Sequence, residues 1–181
     1  EDPSKGEFIG FLDADDLYYP DALQKLYQAL AEHPQRTAVF GFPNHIDEHG
    51  KSLPNPVNLV PRGDGSYVLP NNYVKSWPEV VSGNMICLLA TLLLRRATLE
   101  RIGLFNEELC GPEDYQFFLK IYLDQFDGMH CLPEYIYQYR LHSQSLTKTP
   151  ANLQRVLDSA LKIMHWLFFE ARLPEEVYAC R

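Results

Sequence analysis

The chain has 181 residues, 46% of them hydrophobic and 22% charged, with a formal net charge of -8. That length suits a single domain able to bury a core, the composition is globular rather than disordered, and the acidic balance excludes nucleic-acid binding through a basic face. No apolar run approaches the roughly 18 residues that a membrane-spanning helix needs. The four cysteines, Cys87, Cys110, Cys131 and Cys180, have no metal-ligand spacing, and the first residues carry no signal-peptide pattern. Reduced thiols and a cytoplasmic location are therefore expected, either free or associated with the cytosolic face of a membrane.

The first predicted element is "FIGFL", Phe8 to Leu12, a continuous apolar run of the kind that forms a strand buried on both faces of a parallel sheet. "PDALQKLYQALAEHP" follows as a helix, with Ala22, Leu23, Leu26, Tyr27 and Leu30 on one side and Pro34 as its stop. "TAVFGF" reads as a second strand and "IDEHGKSL" as a turn around Gly50. Pro54 to Pro78 is rich in Pro, Asn and Gly and reads as a long surface excursion. "CLLATLLLRR" is a further strand, leading into the short helix "ATLERIG" capped by Gly103. "PEDYQFFLKIYLDQF" sets Tyr115, Phe118, Leu119, Tyr122 and Phe126 at helical spacing, and "YIYQYRLH" alternates as a strand. From about Pro150 to Ala171 the pattern is an amphipathic helix with Val156, Leu157, Ala160, Leu161, Met164 and Phe168 along one side.

The chemistry concentrates where the first strand ends, in Asp13-Ala14-Asp15-Asp16. The carboxyl ends of strands are where open α/β sheets bind ligands. Alternation lets Asp13 and Asp15 share a direction, and two neighbouring carboxylates drive one pKa upward unless a cation lies between them. Hard cations with oxygen ligands, Mg²⁺ or Mn²⁺, suit such a group. The structural alternative is that the acids cap and solvate the turn before the helix.

Two enzyme classes carry a strand ending in DxD. The haloacid-dehalogenase-like phosphatases expect Thr or Val two residues beyond the second Asp, where this chain has Leu17, and a later acidic motif after an apolar strand. Here Glu113-Asp114 follows the polar loop "EELCG". The wider resemblance is to the inverting family-2 glycosyltransferases of the GT-A fold. "GEFIGFLDADDLYYPDALQKL" resembles their DxD segment. "LLLRRATLERIGLFNEELCGPEDYQFFLKIY" is similar to their strand, short helix, "G-x-F-x-E" loop and "ED" helix. "YIYQYRLHSQSLT" resembles their "Y-R-x-H-x-x-S-x-S" segment, with Thr147 at the last Ser. The blocks span Gly6 to about Thr147.

This resemblance implies an α/β, GT-A-like mixed sheet flanked by helices, and transfer of a sugar from a nucleotide-sugar donor, such as a UDP-sugar, to an acceptor hydroxyl with inversion. It implies Asp15 as ligand of a Mn²⁺ or Mg²⁺ ion that bridges the donor diphosphate, with His142 completing the metal shell or touching the diphosphate. Asp13 is implied at the ribose or in support of the metal, and Asp16, Glu113 and Arg140 join Asp13 and Asp15 in the nucleotide-sugar-binding set. Asp114 is implied as general base, with Glu113 either orienting it or serving as a helix-start acid. At a helix start the dipole is expected to lower the pKa of Asp114. The acceptor class, saccharide, lipid-linked or protein, is left open, as is a non-catalytic glycosyltransferase-derived module for carbohydrate binding or assembly. Tyr73, Trp77 and Asn84 are candidates for stacking or binding an acceptor sugar. Arg95 and Arg96 read as ion-pairing residues, with a phosphate or site carboxylate as the functional alternative.

In the family a nucleotide-binding half precedes the DxD strand, whereas seven residues precede it here. The expectation is a fragment incomplete at the N-terminus. Residues 1–149 would form the metal and acceptor side of a GT-A domain, and 150–181 a helical extension packed on it. The missing half or another domain would cover the sheet, and the isolated piece would be inactive.

Overall fold

A computed structural model describes residues 5–54, 60–61, 67–68, 88–142 and 150–175. In chain order the elements are β1 (Phe8–Gly10), β2 (Leu17–Tyr18), α1 (Ala22–Glu32), β3 (Ala38–Ile46), β4 (Val60–Pro61), β5 (Tyr67–Val68), β6 (Leu92–Arg95), α2 (Arg96–Ile102), α3 (Glu113–Asp124), β7 (Met129–Arg140) and α4 (Pro150–His165). One turn of π-helix, Trp166–Glu170, extends α4. A five-stranded sheet runs β1-β6-β3-β7-β2, while β4 and β5 pair separately. β3 and β7 are parallel, with Ala38 opposite Met129 and Ile46 opposite Arg140; the other pairings are antiparallel.

The apolar runs in β3 and β6 exist because both faces of the sheet are covered. Val39 and Leu93 point to α1, where they pack with Leu26, Leu30, Ile136 and Tyr137. Their neighbours Ala38, Phe40, Leu92 and Leu94 point the other way, onto Phe117, Phe118 and Ile121 of α3. α3 is itself sandwiched: Leu119 and Tyr122 on its outer side meet Ile163 and Leu167 of the C-terminal helix. The apolar stripe expected from spacing, Tyr115 to Phe126, is thus only half of its buried surface, and Gln116, Phe117 and Ile121 are buried as well. α2 ends at Gly103, whose φ of 77° is the left-handed geometry that glycine supplies at a helix terminus. Gly50 likewise turns the chain with φ 82°.

Three expectations are corrected. "FIGFL" is not a strand buried in a parallel sheet. Only Phe8–Gly10 pairs, antiparallel to β6 at the sheet edge, and Leu12 is 57% exposed. In α1 the buried residues are Ala22, Leu26, Ala29 and Leu30, while Leu23 and Tyr27 face outward; Tyr27 meets Phe8 edge-on. In α4 the buried row is Ser159, Ile163 and Leu167, and Leu157 and Leu161 stand exposed. Both helices carry two adjacent apolar rows, and spacing alone does not say which row meets the sheet or α3.

Gly41 lies where the β3–β7 register shifts. A Cβ there would stand 2.6 Å from Ile136 Cγ1 and 3.0 Å from the Glu134 carbonyl oxygen. Ile136 is fully buried and has no room to yield. Gly41→Ala is expected to lower stability by about 1–3 kcal/mol, read from the denaturant midpoint at unchanged slope.

Candidate active site

β1 and β2 follow each other in sequence yet form opposite edges of the sheet. The intervening Phe11–Asp16 must carry the chain across β6, β3 and β7, about 19 Å at four inter-strand spacings, so the segment is taut. It ends in a turn closed by the Asp16 amide donating to the Asp13 carbonyl at 3.2 Å. The turn divides the acids: Asp13 and Asp15 are exposed, and Asp16 is 5% exposed.

The C-terminal end of β7 receives the turn. Asp16 Oδ2 accepts from the Tyr137 hydroxyl at 2.9 Å, and its Oδ1 accepts from the Arg140 amide at 2.7 Å. Tyr137 Oη also lies 3.3 Å from the Asp13 amide, which donates to it. Arg140 Nε donates to the Asp15 carbonyl at 2.7 Å, and Nη1 lies 3.1 Å from the Asp47 carbonyl and 3.2 Å from that of Glu48. Two residues on, His142 Nε2 is 2.7 Å from Asp15 Oδ2. The bond to His142, with the nearby Arg140 charge, holds the Asp15 carboxyl below the usual carboxylate range. Burial pushes Asp13 upward, and the Asp15 charge adds to it; burial likewise raises Asp16 against the two bonds it accepts.

The other wall is the start of α3. Gly111, with φ 100°, lets the loop turn beneath α4, whose Val156 Cγ2 would be 2.6 Å from a Cβ at this position. The Cys110 amide donates to Ser159 Oγ of α4 at 2.8 Å. Asp114 follows, its Oδ1 accepting from the Tyr115 amide at 2.6 Å. The expectation that the helix start lowers the pKa of Asp114 is overturned. Burial pushes it up, with the Glu113 and Asp13 charges adding to the rise, and the Tyr115 bond opposes them without winning. Glu113 Oε2 is buried and has no hydrogen-bond partner among the described residues.

A cleft of about 650 Å³ joins the two walls, and Asp13, Asp15, Asp16, Glu113, Asp114, Arg140 and His142 all line it. The seven residues expected for the metal, the nucleotide sugar and the base thus reach one place. Arg140 faces the cleft while spending its guanidinium on backbone carbonyls. Sequence reasoning missed Tyr137, whose signal was its inward register in "YIYQYR", and Arg155 of α4, which also lines the cleft. Arg95 and Arg96 lie elsewhere: Arg95 donates to the Arg36 and Leu30 carbonyls, both at 2.9 Å, and Arg96 to that of Gly6. Tyr73, Trp77, Asn84 and Thr147 fall outside the described residues. Among the described residues no group of three His, Cys, Asp or Glu side chains is arranged to hold a metal, and no helix is long and apolar enough to cross a membrane.

The sequence model of Glycosyl transferase family 2 matches residues 3–99, over half of the chain and including the aspartate turn. The chain belongs to that family. An uncharacterized glycosyltransferase of Rickettsia felis is 26% identical over 155 residues, covering 82% of this chain and 23% of the relative. One of Rickettsia prowazekii is 25% identical over 150 residues, covering 82% and 44%. The chain therefore spans less than half the length of these relatives. Among solved structures, S. aureus TarS 1–349 superposes with TM-score 0.57 at 21% identity, over 96% of this chain and 44% of TarS 1–349. TarS 1–349 in complex with UDP-GlcNAc gives TM-score 0.59 at 19% identity, over 95% and 45%. The architecture is thus the GT-A-like α/β fold, a mixed sheet between helices.

The raised pKa of Asp114 has a consequence for stability. The folded protein binds this proton more tightly than the unfolded chain, so ionisation costs folding free energy. The cost is absent below the ordinary carboxylate pKa of about 4, grows as pH rises toward the raised value, and is constant above it. Asp114→Asn, which keeps an acceptor for the Tyr115 amide, is expected to melt higher than the parent protein at pH 7. The gap should close as the buffer is taken below about pH 4, and calorimetric scans across that range read it.

Proposed function

We propose that this chain carries the reacting side of a nucleotide-sugar glycosyltransferase, which moves a sugar to an acceptor hydroxyl with inversion at the anomeric carbon. One observation carries the reading. The aspartate turn and the Glu113-Asp114 helix start, about a hundred residues apart, face each other across one cleft that also receives His142 and Arg140.

In this reading the acceptor enters with its hydroxyl toward Asp114. The acceptor oxygen forms a bond to the anomeric carbon, the bond to the donor phosphate oxygen breaks with its electron pair, and the nucleoside diphosphate leaves. The acceptor proton passes to Asp114. Burial makes Asp114 a stronger base than an ordinary carboxylate, which brings its pKa toward the working pH. Glu113, whose Oε2 is buried with no hydrogen-bond partner among the described residues, would accept from a neighbouring acceptor hydroxyl. Asp13 is assigned to the donor ribose. The TarS complex with UDP-GlcNAc supports a UDP-sugar as donor.

Asp15 and His142 fit a divalent cation. His142 Nε2 and Asp15 Oδ2 are hydrogen-bonded to each other at 2.7 Å beside the cleft; with the shared proton released, the carboxylate oxygen and the imidazole nitrogen would be a donor pair for Mn²⁺ or Mg²⁺. Bound there, the cation would neutralise charge on the departing diphosphate. The C-terminal extension, residues 150–181, in this reading packs on the domain, and its Arg155 and Val156 line the cleft.

In the full-length protein, Asp114→Asn is expected to lower kcat by about 10²–10⁴-fold with donor affinity kept. Activity undiminished by that change would leave a binding module instead. The kcat/KM profile should fall on its acidic side through the raised pKa of Asp114. Glu113→Gln removes a neighbouring negative charge and should move that limb to lower pH, as steady-state rates across a pH series would report.

A further inference from the structure

We propose that Asp16, Tyr137 and Arg140 form a clamp that holds Asp15 against His142, and that Asp16 acts as a positioning residue rather than as a ligand of the donor. The proposal rests on the nucleotide-sugar reading of the cleft for its functional consequence, although the clamp itself is a matter of geometry.

Asp16 differs from its two neighbours in accessibility and in partners. At 5% exposure it offers a ligand little surface, and both carboxylate oxygens are engaged by β7. A buried carboxylate accepting two hydrogen bonds is a fixed point: removing either donor leaves an unsatisfied charged oxygen. Tyr137 occupies the key position, since its hydroxyl donates to Asp16 while accepting from the Asp13 amide. One phenol oxygen thus joins the first and the last residue of the DxDD turn. Arg140 completes the hold from the other side, its amide on Asp16 and its Nε on the Asp15 carbonyl.

The consequence is a register. Tyr137, Arg140 and His142 come from one strand end, so once the turn is fastened at residues 137 and 140, the side chain at 142 arrives opposite Asp15. The taut crossing from β1 makes the fastening necessary. With β1 and β2 at opposite sheet edges, the turn from Asp13 to Asp16 is fastened to β7 through these bonds to Tyr137 and Arg140. Arg140 also reaches the Asp47 and Glu48 carbonyls, so the clamp spans the end of β3 as well as that of β7. Groups that touch the ligating side chains only indirectly commonly tune metal affinity in this way.

The test uses the full-length protein with two variants. Tyr137→Phe keeps the buried ring and removes only the hydroxyl; Asp16→Asn keeps an acceptor for the Arg140 amide but sets a second donor against Tyr137 Oη, which already accepts from Asp13. Crystal structures without ligand read the separation of Asp15 Oδ2 from His142 Nε2, which is expected to open beyond 3.5 Å in both variants. Calorimetric titration with UDP and Mn²⁺, below the melting temperature of each variant, should show affinity weaker by about 10-fold. A fall in melting temperature with the 2.7 Å pairing intact and affinity unchanged would overturn the clamp and leave a residue important only to folding. Parent protein that binds UDP equally with and without Mn²⁺ would instead defeat the metal reading, while the crystallographic separation still decides the clamp.

Discussion

The constraint on which the rest depends is the crossing of the aspartate segment from one edge of the sheet to the other. Two strands that are neighbours in sequence are placed four strands apart, so the residues between them cannot wander as a loop. They lie across the sheet and present their acids at one end of it. That arrangement puts three carboxylates within a single turn, where mutual repulsion would open an unsupported chain. Each acid has a separate answer: Asp15 has His142, Asp16 has Tyr137 and the Arg140 amide, and Asp13 keeps a raised pKa and faces the cleft. The ordering of the site therefore comes before any ligand, in the bonds between the turn and β7.

The second wall works by different physics. Asp114 stands at a helix start, where the backbone dipole favours its charge, yet burial outweighs that effect and holds the proton more tightly. A surface dipole effect is commonly below about 1 kcal/mol and is weakened by exposure, whereas desolvation of a carboxylate acts on the whole charge. The outcome is useful chemistry: one carboxyl kept ionised by a partner at Asp15, another made more basic by its surroundings at Asp114. The cleft thus joins two opposed electrostatic environments, one lowering and one raising the proton affinity of a carboxyl group.

Much of this was legible in the residues because the signals are local. β3 and β6 follow from unbroken apolar runs, the end of α2 from Gly103, and the acidic and histidine positions of the cleft from motifs whose spacing is short. What escaped is set by tertiary contact. β1 reads as a buried strand until the sheet order places it at an edge. α1 and α4 each offer two apolar rows, and only the partner surface selects Leu26 and Leu30 in one, Ile163 and Leu167 in the other. Tyr137 is an ordinary strand aromatic in sequence; its role depends on a hydroxyl meeting a carboxylate 121 residues away in the chain. The sense of the Asp114 shift needed its burial, which no helix-start pattern reports.

The glycine at 111 carries a last implication. By leaving its Cβ space to Val156, it allows the C-terminal helix to settle directly on the hinge of chain that precedes the base. Arg155, the residue before Val156 on that helix, also lines the cleft. The packing of a segment some forty residues away along the chain thus depends on a side chain that is not there, and any residue larger than glycine at 111 would push the helix away from this wall of the cleft.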